Sequence, residues 1–448
     1  MNWEQLLSSQ RMGKKETPTK ATFRSAFEQD YDRIIFSHPF RRLQDKTQVH
    51  PLPEHDFVHT RLTHSLEVSS VGRSLGKKAG EALIEKYPEL KEEGFSSFDF
   101  GAIVAAASLA HDIGNPPFGH SGESAISDFF RHHPFGLSFK EKLNDNQWSD
   151  ISNFEGNAQG FRLLQQNKSL QLTYATIATF TKYPCESKLV NRDNNRKSQK
   201  KYGFFQCEAD SFTDLANTIG LISLSTTEKT WCRHPLAYLV EAADDICYQI
   251  IDLEDGTRLG LISHEETVRL LGALLGDRFN AEKLASYGSK TEQIGILRAM
   301  AISTLVDQCV DEFLVNEKLL LEGGYDKALT DHIPAKDILK EIEILSINEI
   351  YQSKKVMEKE VAGYEVLPGL LEVFTEAVYY NYFEKNLRTK KHKNLMKLMP
   401  ESTQIGLEKS QGSCYEVLMI CLDYISGMTD RYAISLFRKI KGISLPTG

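Results

Sequence analysis

Arg61-Leu62-Thr63-His64 and, 47 residues after His64, His111-Asp112-Ile113-Gly114-Asn115-Pro116-Pro117-Phe118-Gly119-His120 are the stretches that decide how this chain is read. They put two imidazoles and a carboxylate at the ends of apolar helical stretches, with a third imidazole nine residues beyond His111. Neutral histidine and ionised aspartate together suit a borderline divalent cation, and a mixed nitrogen and oxygen set leaves room for water and phosphate oxygens. The His111-Asp112 pair ends the run Ala102 to Ala110, a helix too apolar to face solvent. Polar groups that follow such a run are expected at the edge of a core. Pro116-Pro117 and Gly119 then break the helix, which puts His120 and Glu123 in a loop and a new helix start close to the preceding ligands.

A further ligand is expected from Leu239 to Asp252, which reads as a buried helix carrying acids among apolar residues. Asp244, Tyr248 and Asp252 are spaced i, i+4, i+8 and share one face. Asp245 is turned from that face by about 100° and cannot do the same job. Unpaired carboxylates are rarely buried, so a cation is the natural partner. The alternative, a buried salt bridge or hydrogen-bonded core pair, accounts for Asp244 alone better than for His64, His111, Asp112 and Asp244 together.

RLTHSLEV, HDIGNPPFGH and EAADDICY, in this order and at these separations, resemble the HD-domain deoxynucleoside triphosphate triphosphohydrolases, in particular the bacterial dGTPase branch. RIIFSHPFRRLQDKTQV (33–49) and SGMTDRYA (426–433) resemble the same family, so the similarity runs over most of the chain. The resemblance implies a mainly α fold, an HD-domain helical core with an additional C-terminal helical lobe. It also implies hydrolysis of a dNTP, dGTP above all, to the deoxynucleoside and inorganic triphosphate, with Mg²⁺ or Mn²⁺ as the expected metal.

Composition agrees without deciding. The chain has 448 residues, 41% of them hydrophobic, enough for a substantial core. A net charge of -8 argues against a protein that coats nucleic acid generally. Seven cysteines, an odd number without C-x-x-C spacing, point to free thiols in a reducing compartment. No run reaches membrane-spanning length and the first residues carry no apolar leader, so the expected setting is cytoplasmic, without a membrane partner. Residues 1–22 read as a polar, basic N-terminal arm, 23–265 as an HD-type catalytic core, and 266–448 as a C-terminal helical region packed on it. Residues 186–202 form a polar loop with six basic and two acidic side chains.

Releasing triphosphate requires water to attack the α-phosphorus while the sugar 5′-oxygen departs. Charge grows on phosphate oxygens, which calls for cationic stabilisation, and the 5′-alkoxide leaves poorly unless a general acid protonates it. His120 and Glu123 lie three residues apart and can face each other if a helix begins near Ser121. A carboxylate behind an imidazole holds its tautomer and raises its basicity. Family resemblance implies catalysis for this pair; the alternative is an early-turn acid favoured by the helix dipole beside a loop histidine.

Arg61, three residues before His64 on the same helical face, is placed to reach the α-phosphate. Lys201 resembles a triphosphate-binding lysine of the family. Asn115 stands where related enzymes outside the bacterial branch use histidine; an amide can bond phosphate but cannot transfer a proton at neutral pH. Gln48 and Asp252 are expected at the 3′-hydroxyl, and Tyr248 against the sugar 2′-carbon, where it leaves no room for a hydroxyl. An ordinary half-buried tyrosine remains the alternative for Tyr248. Near the C-terminus, Tyr379-Tyr380-Asn381-Tyr382-Phe383 followed by Arg388 to Lys393 either binds a regulatory nucleotide or single-stranded DNA, or packs its rings into the core with solvated lysines. Resemblance to a family of allosteric oligomers adds a homo-oligomer with an effector site. Two other functions fit the metal-ligand pattern: an HD-type phosphodiesterase on cyclic or alarmone nucleotides, and a non-catalytic nucleotide or DNA sensor.

Overall fold

The computed structural model describes residues 1–13, 23–48, 59–410 and 412–444. Among them the architecture is helical, with β-pairing confined to isolated bridges such as Ser223 with Trp231. The main helices are α1 (Ala26–Ile35), α2 (Arg61–Lys86), α3 (Ser97–Ala110), α4 (His120–His132), α5 (Asp145–Ser152), α6 (Gly156–Gln166) and α7 (Tyr174–Phe180). They continue with α8 (Ala237–Arg258), α9 (His264–Leu275), α10 (Lys290–Val315), α11 (Lys336–Ser346), α12 (Lys354–Tyr382), α13 (Lys390–Leu398), α14 (Cys414–Ser426) and α15 (Asp430–Ile440).

The pairing of α2 with α3 positions the site. Thr60 caps α2: its side chain accepts from the Thr63 amide, and the Thr63 hydroxyl lies 3.0 Å from the Thr60 amide that donates to it. At the start of α3, Asp99 Oδ2 accepts from both the Ser96 amide at 2.9 Å and the Ser96 hydroxyl at 2.8 Å. Gly72, Gly76 and Gly80 recur every fourth residue along α2 and face α3. A β-carbon on Gly76 would sit 2.6 Å from the Phe100 carbonyl oxygen, and one on Gly72 only 2.4 Å from Ser108 Oγ. Close backbone approach therefore requires glycine there. The two helices run antiparallel, so the start of α2, with His64, meets the end of α3, with His111.

Side chains bury into two separate clusters. The first gathers α1, α2, α3, α7, α8, α9 and α10 around residues such as Leu75, Val104, Ile177 and Leu239. The second joins Phe118, α4 and α5 to α12, α14 and α15 through Phe129, Phe130, Leu367, Phe374 and Leu418.

This arrangement corrects two expectations. Residues 1–13, expected as part of a polar, basic N-terminal arm, are docked. Trp3, Leu6 and Leu7 are buried, Trp3 Nε1 donates to Glu317 Oε1 at 2.9 Å, and Arg11 pairs with Asp30 at 2.6 Å. Three large apolar side chains within five residues suffice because Trp3 packs on Phe100 of α3 and Phe313 at the end of α10. Residues 14–22 of the expected arm lie outside the described residues. The expected division at 265 does not match the cores either: α9 and α10 belong with the first, whereas α4 and α5 share the second with the C-terminal helices.

Candidate active site

Asp244 Oδ1 lies 3.2 Å from His64 Nε2 and 3.4 Å from His111 Nε2, and the ligand atoms of these three residues fall within 4.8 Å of one another. His111 Nδ1 donates to the Ser108 carbonyl at 2.7 Å, which fixes the tautomer and turns the Nε2 lone pair toward Asp244. Burial lowers the pKa of His111, keeping it neutral as a ligand must be. Burial also opposes charge on Asp244, but Lys182 and the two imidazoles outweigh it and hold the carboxylate well below its ordinary range. Two imidazole nitrogens and an ionised carboxylate oxygen fit a divalent cation.

Asp112 stands beside this trio rather than in it. Its Oδ2 accepts from Arg61 at 2.7 Å, its Oδ1 accepts from Asn115 Nδ2 at 2.5 Å, and that Oδ1 is 3.5 Å from His111 Nε2. The sequence spacing brought it to the right corner without showing that Arg61 would claim one oxygen.

His120 opens α4 with Nδ1 2.8 Å from Glu123 Oε2, and the Gly156 amide donates to Glu123 Oε1 at 2.7 Å. Burial would raise the Glu123 pKa, but the His120 bond and the Lys201 charge lower it further, so the carboxylate stays ionised. The turn before it needs two consecutive left-handed residues, Phe118 at φ 66° and Gly119 at φ 63°.

A cavity of about 470 Å³ connects these groups. Gln48, Arg61, His111, Asp112, Asn115, His120, Lys201, Asp244 and Tyr248 all line it, so most of the residues picked from sequence share one space. Gln48 Oε1 is buried without a hydrogen-bond partner among the described residues. His64 and Asp252 lie behind the wall. Asp245, set apart from the Asp244 face by sequence, accepts instead from Thr330 Oγ1 at 2.7 Å, although it too borders the cavity.

Comparison with known proteins accords with this geometry. Residues 61–159 match the HD domain, and residues 335–439 match the phosphohydrolase-associated domain. A Synechocystis protein named deoxyguanosinetriphosphate triphosphohydrolase-like is 43% identical over 99% of this chain and all of its own. A Listeria monocytogenes protein of the same name is 34% identical over 99% of this chain and all of its own. A Salmonella typhimurium deoxyguanosinetriphosphate triphosphohydrolase is 31% identical over 93% of this chain and 94% of its own. The chain belongs to the HD-domain dGTPase-like family. It is accordingly a phosphohydrolase, and HD domains bind divalent metals. Among the described residues no helix is long and apolar enough to cross a membrane.

Several residues of this HD phosphohydrolase site escaped the sequence reading. Lys182 Nζ donates to Asp244 Oδ2 at 2.6 Å, leaving Oδ1 for the imidazoles. Its signal was available: Lys182-Tyr183 ends the apolar helix α7 just as His111-Asp112 ends α3. Tyr351 donates to Asp252 Oδ2 at 2.6 Å and stacks on Tyr248 with ring centroids 5.5 Å apart. Burial pushes the Asp252 carboxyl up to about 7. Asn157, Tyr183, Lys359 and Glu360 complete the walls, and no motif marked them. Lys201 sits 3.2 Å from Glu155 and 3.9 Å from Glu123. Of the C-terminal aromatics, Tyr380 stacks on His392 and Tyr379 packs on Phe135 and Phe139.

Proposed function

We propose that this phosphohydrolase converts a deoxynucleoside triphosphate, with dGTP the preferred substrate, to the deoxynucleoside and inorganic triphosphate. The observation that carries the reading is that His111 and Asp244 of the metal trio and His120 of the His120–Glu123 pair line one cavity that also meets Gln48 and Tyr248. The guanine preference rests on the names of the relatives.

A divalent metal such as Mg²⁺ or Mn²⁺, held by His64, His111 and Asp244 with Asp112 beside them, would supply Lewis-acid stabilisation of phosphate charge. The chain's own residues do the rest. Arg61, Lys182 and Lys201 border the cavity as phosphate contacts, and Asn115 offers an amide. Glu123 takes the Nδ1 side of His120, leaving Nε2 to give a proton to the departing 5′-oxygen as water bonds to the α-phosphorus. The proton released by that water restores the imidazole for the next turnover. Gln48 Oε1, an acceptor without a partner among the described residues, suits the 3′-hydroxyl, as does Asp252. The face of Tyr248, held by Tyr351, suits the sugar 2′-carbon and excludes a hydroxyl there. Seven free thiols support a reducing, cytoplasmic setting.

The test is metal-supplemented hydrolysis of each dNTP, alone and in pairs, with inorganic triphosphate detected. Pairs are included because an enzyme that needs a regulatory nucleotide is silent on a single one. Triphosphate from dGTP with little from GTP is the expected result. Release of a monophosphate would favour the phosphodiesterase reading, and no release from any mixture would leave a nucleotide sensor.

A further inference from the structure

The turn between α14 and α15, Ser426 to Asp430, reaches across to the loop that carries His120. Asp430 Oδ1 accepts from the Phe118 amide at 3.0 Å, and its Oδ2 accepts from the Thr47 amide at 3.2 Å and the Thr47 hydroxyl at 2.8 Å. Lys359 Nζ stands 3.7 Å from the same carboxylate. The Ser426 carbonyl accepts from Lys46 Nζ at 3.1 Å, and the same ammonium donates to the Asn115 carbonyl. Asp430 and Lys46 are buried, at 4% and 3% exposure, so water does not compete for these bonds.

Phe118 bears a side chain yet adopts φ 66°, a conformation that persists only where its surroundings hold it. A carboxylate on its amide is a charge-assisted hold, stronger than a neutral acceptor. The loop is also squeezed from α12, where a β-carbon on Gly363 would lie 3.1 Å from Phe118 Cβ. Gly119 follows and His120 begins α4, so the direction in which the chain leaves Phe118 sets where the imidazole points.

We propose that Asp430, assisted by Lys46, is a positioning residue through which the C-terminal region holds the strained Phe118–Gly119 turn and thereby aims His120 into the cavity. This rests on reading His120 and Glu123 as the catalytic pair. The metal trio lies on α2, the end of α3 and α8, and among the described residues the hydrogen-bond partners of Asp430 are Thr47 and Phe118 instead.

The closing experiment replaces Asp430 by Asn, which keeps an acceptor but removes the charge and sets an amide nitrogen near the Thr47 amide. For Asp430→Asn, kcat on dGTP falls about 100-fold, the scale of a misplaced reacting group, with KM and metal affinity nearly unchanged. Hydrogen exchange in residues 115–122 accelerates while that of α2 does not. In the Asp430→Asn background, Phe118→Gly recovers kcat relative to Phe118→Ala, because both lose the ring and only glycine takes φ 66° without strain. Equal kcat in the two double variants, or a parallel fall of kcat, metal affinity and Tm in Asp430→Asn, overturns the proposal and leaves a general fold contact. If Asp430→Asn does not fold, Thr47→Val removes one bond to the carboxylate and carries the same kcat-only signature at smaller size. A wild-type enzyme inert on every dNTP breaks the functional reading instead, and the exchange comparison still decides the clamp.

Discussion

The two ends of the cavity are built in opposite ways. At one end His64, His111 and Asp244 stand on or at the ends of helices, and the approach of the two that carry the imidazoles is set by close contact along Gly72, Gly76 and Gly80. At the other, His120 follows two left-handed residues whose conformation depends on a carboxylate more than 300 residues away in the chain. The difference teaches that the geometry of the proposed ligands is a property of rigid elements, whereas the aim of the proposed proton donor is a property of assembly between two cores. Damage to the first should appear in metal affinity, and damage to the second in turnover.

The largest effect is expected at the helical end. Asp244→Ala should lower metal affinity by more than the roughly 10- to 100-fold that a merely supporting residue costs, while Asp245→Ala leaves it intact. Calorimetric titration of metal into each variant checks this, and the reverse outcome would move the ligand to Asp245. At the loop end, His120→Ala should cut kcat by roughly 100- to 10,000-fold, the range for loss of a general acid, with metal affinity preserved. Steady-state kinetics and titration on the same preparation would break the comparison if both quantities fell together.

Two glycine substitutions sharpen it further. Gly76→Ala presses a methyl against the Phe100 carbonyl; overpacking of this kind costs about 1–3 kcal/mol in stability. It should weaken metal binding more than it slows turnover of the loaded enzyme. Gly119→Ala imposes strain of about 1–3 kcal/mol at φ 63°, which lowers kcat about tenfold when His120 turns to relieve it. Denaturant unfolding and kinetics on the pair would refute the division if the two variants behaved alike.

The smallest effect is one of pH. Glu123 is held below its ordinary value of 4.5 in the folded protein, so its contribution to stability is fully present above that pH and is lost as pH falls through the folded value. The stability gap between wild type and Glu123→Gln should therefore be widest near neutrality and narrow below pH 4.5, as thermal melts across pH would show.

The helical end was largely legible in the sequence because apolar periodicity and helix-end polarity are local signals. His111 announces itself as an imidazole where an apolar run stops, Asp244 as an acid within a buried helix, and His64 as an imidazole in the first turn of one. The helical fold class was legible for the same reason, together with family resemblance. Partnerships were not. Arg61 claims an oxygen of Asp112, Lys182 turns Asp244, and Tyr351 holds both Tyr248 and Asp252; each joins segments 51 to 103 residues apart, across which no period carries information. The opening residues were misread for a related reason: Trp3 looks isolated until Glu317 and Phe313 arrive beside it. The division into cores was hidden because α4 and α5 pack with helices that follow them by more than 200 residues.

The seam between the two clusters has a consequence for how the protein melts. Gln48, Asp244 and Tyr248 reach the cavity from the side of the first cluster, and Phe118, His120 and Lys359 from the side of the second. A nucleotide seated there touches both, and its binding energy enters their coupling rather than the stability of either alone. Each cluster keeps its own apolar interior, so the chain has the makings of two cooperative units, tied by polar contacts such as Thr47 with Asp430 and Arg162 with Asp423, and a nucleotide bound as proposed would tie them more tightly.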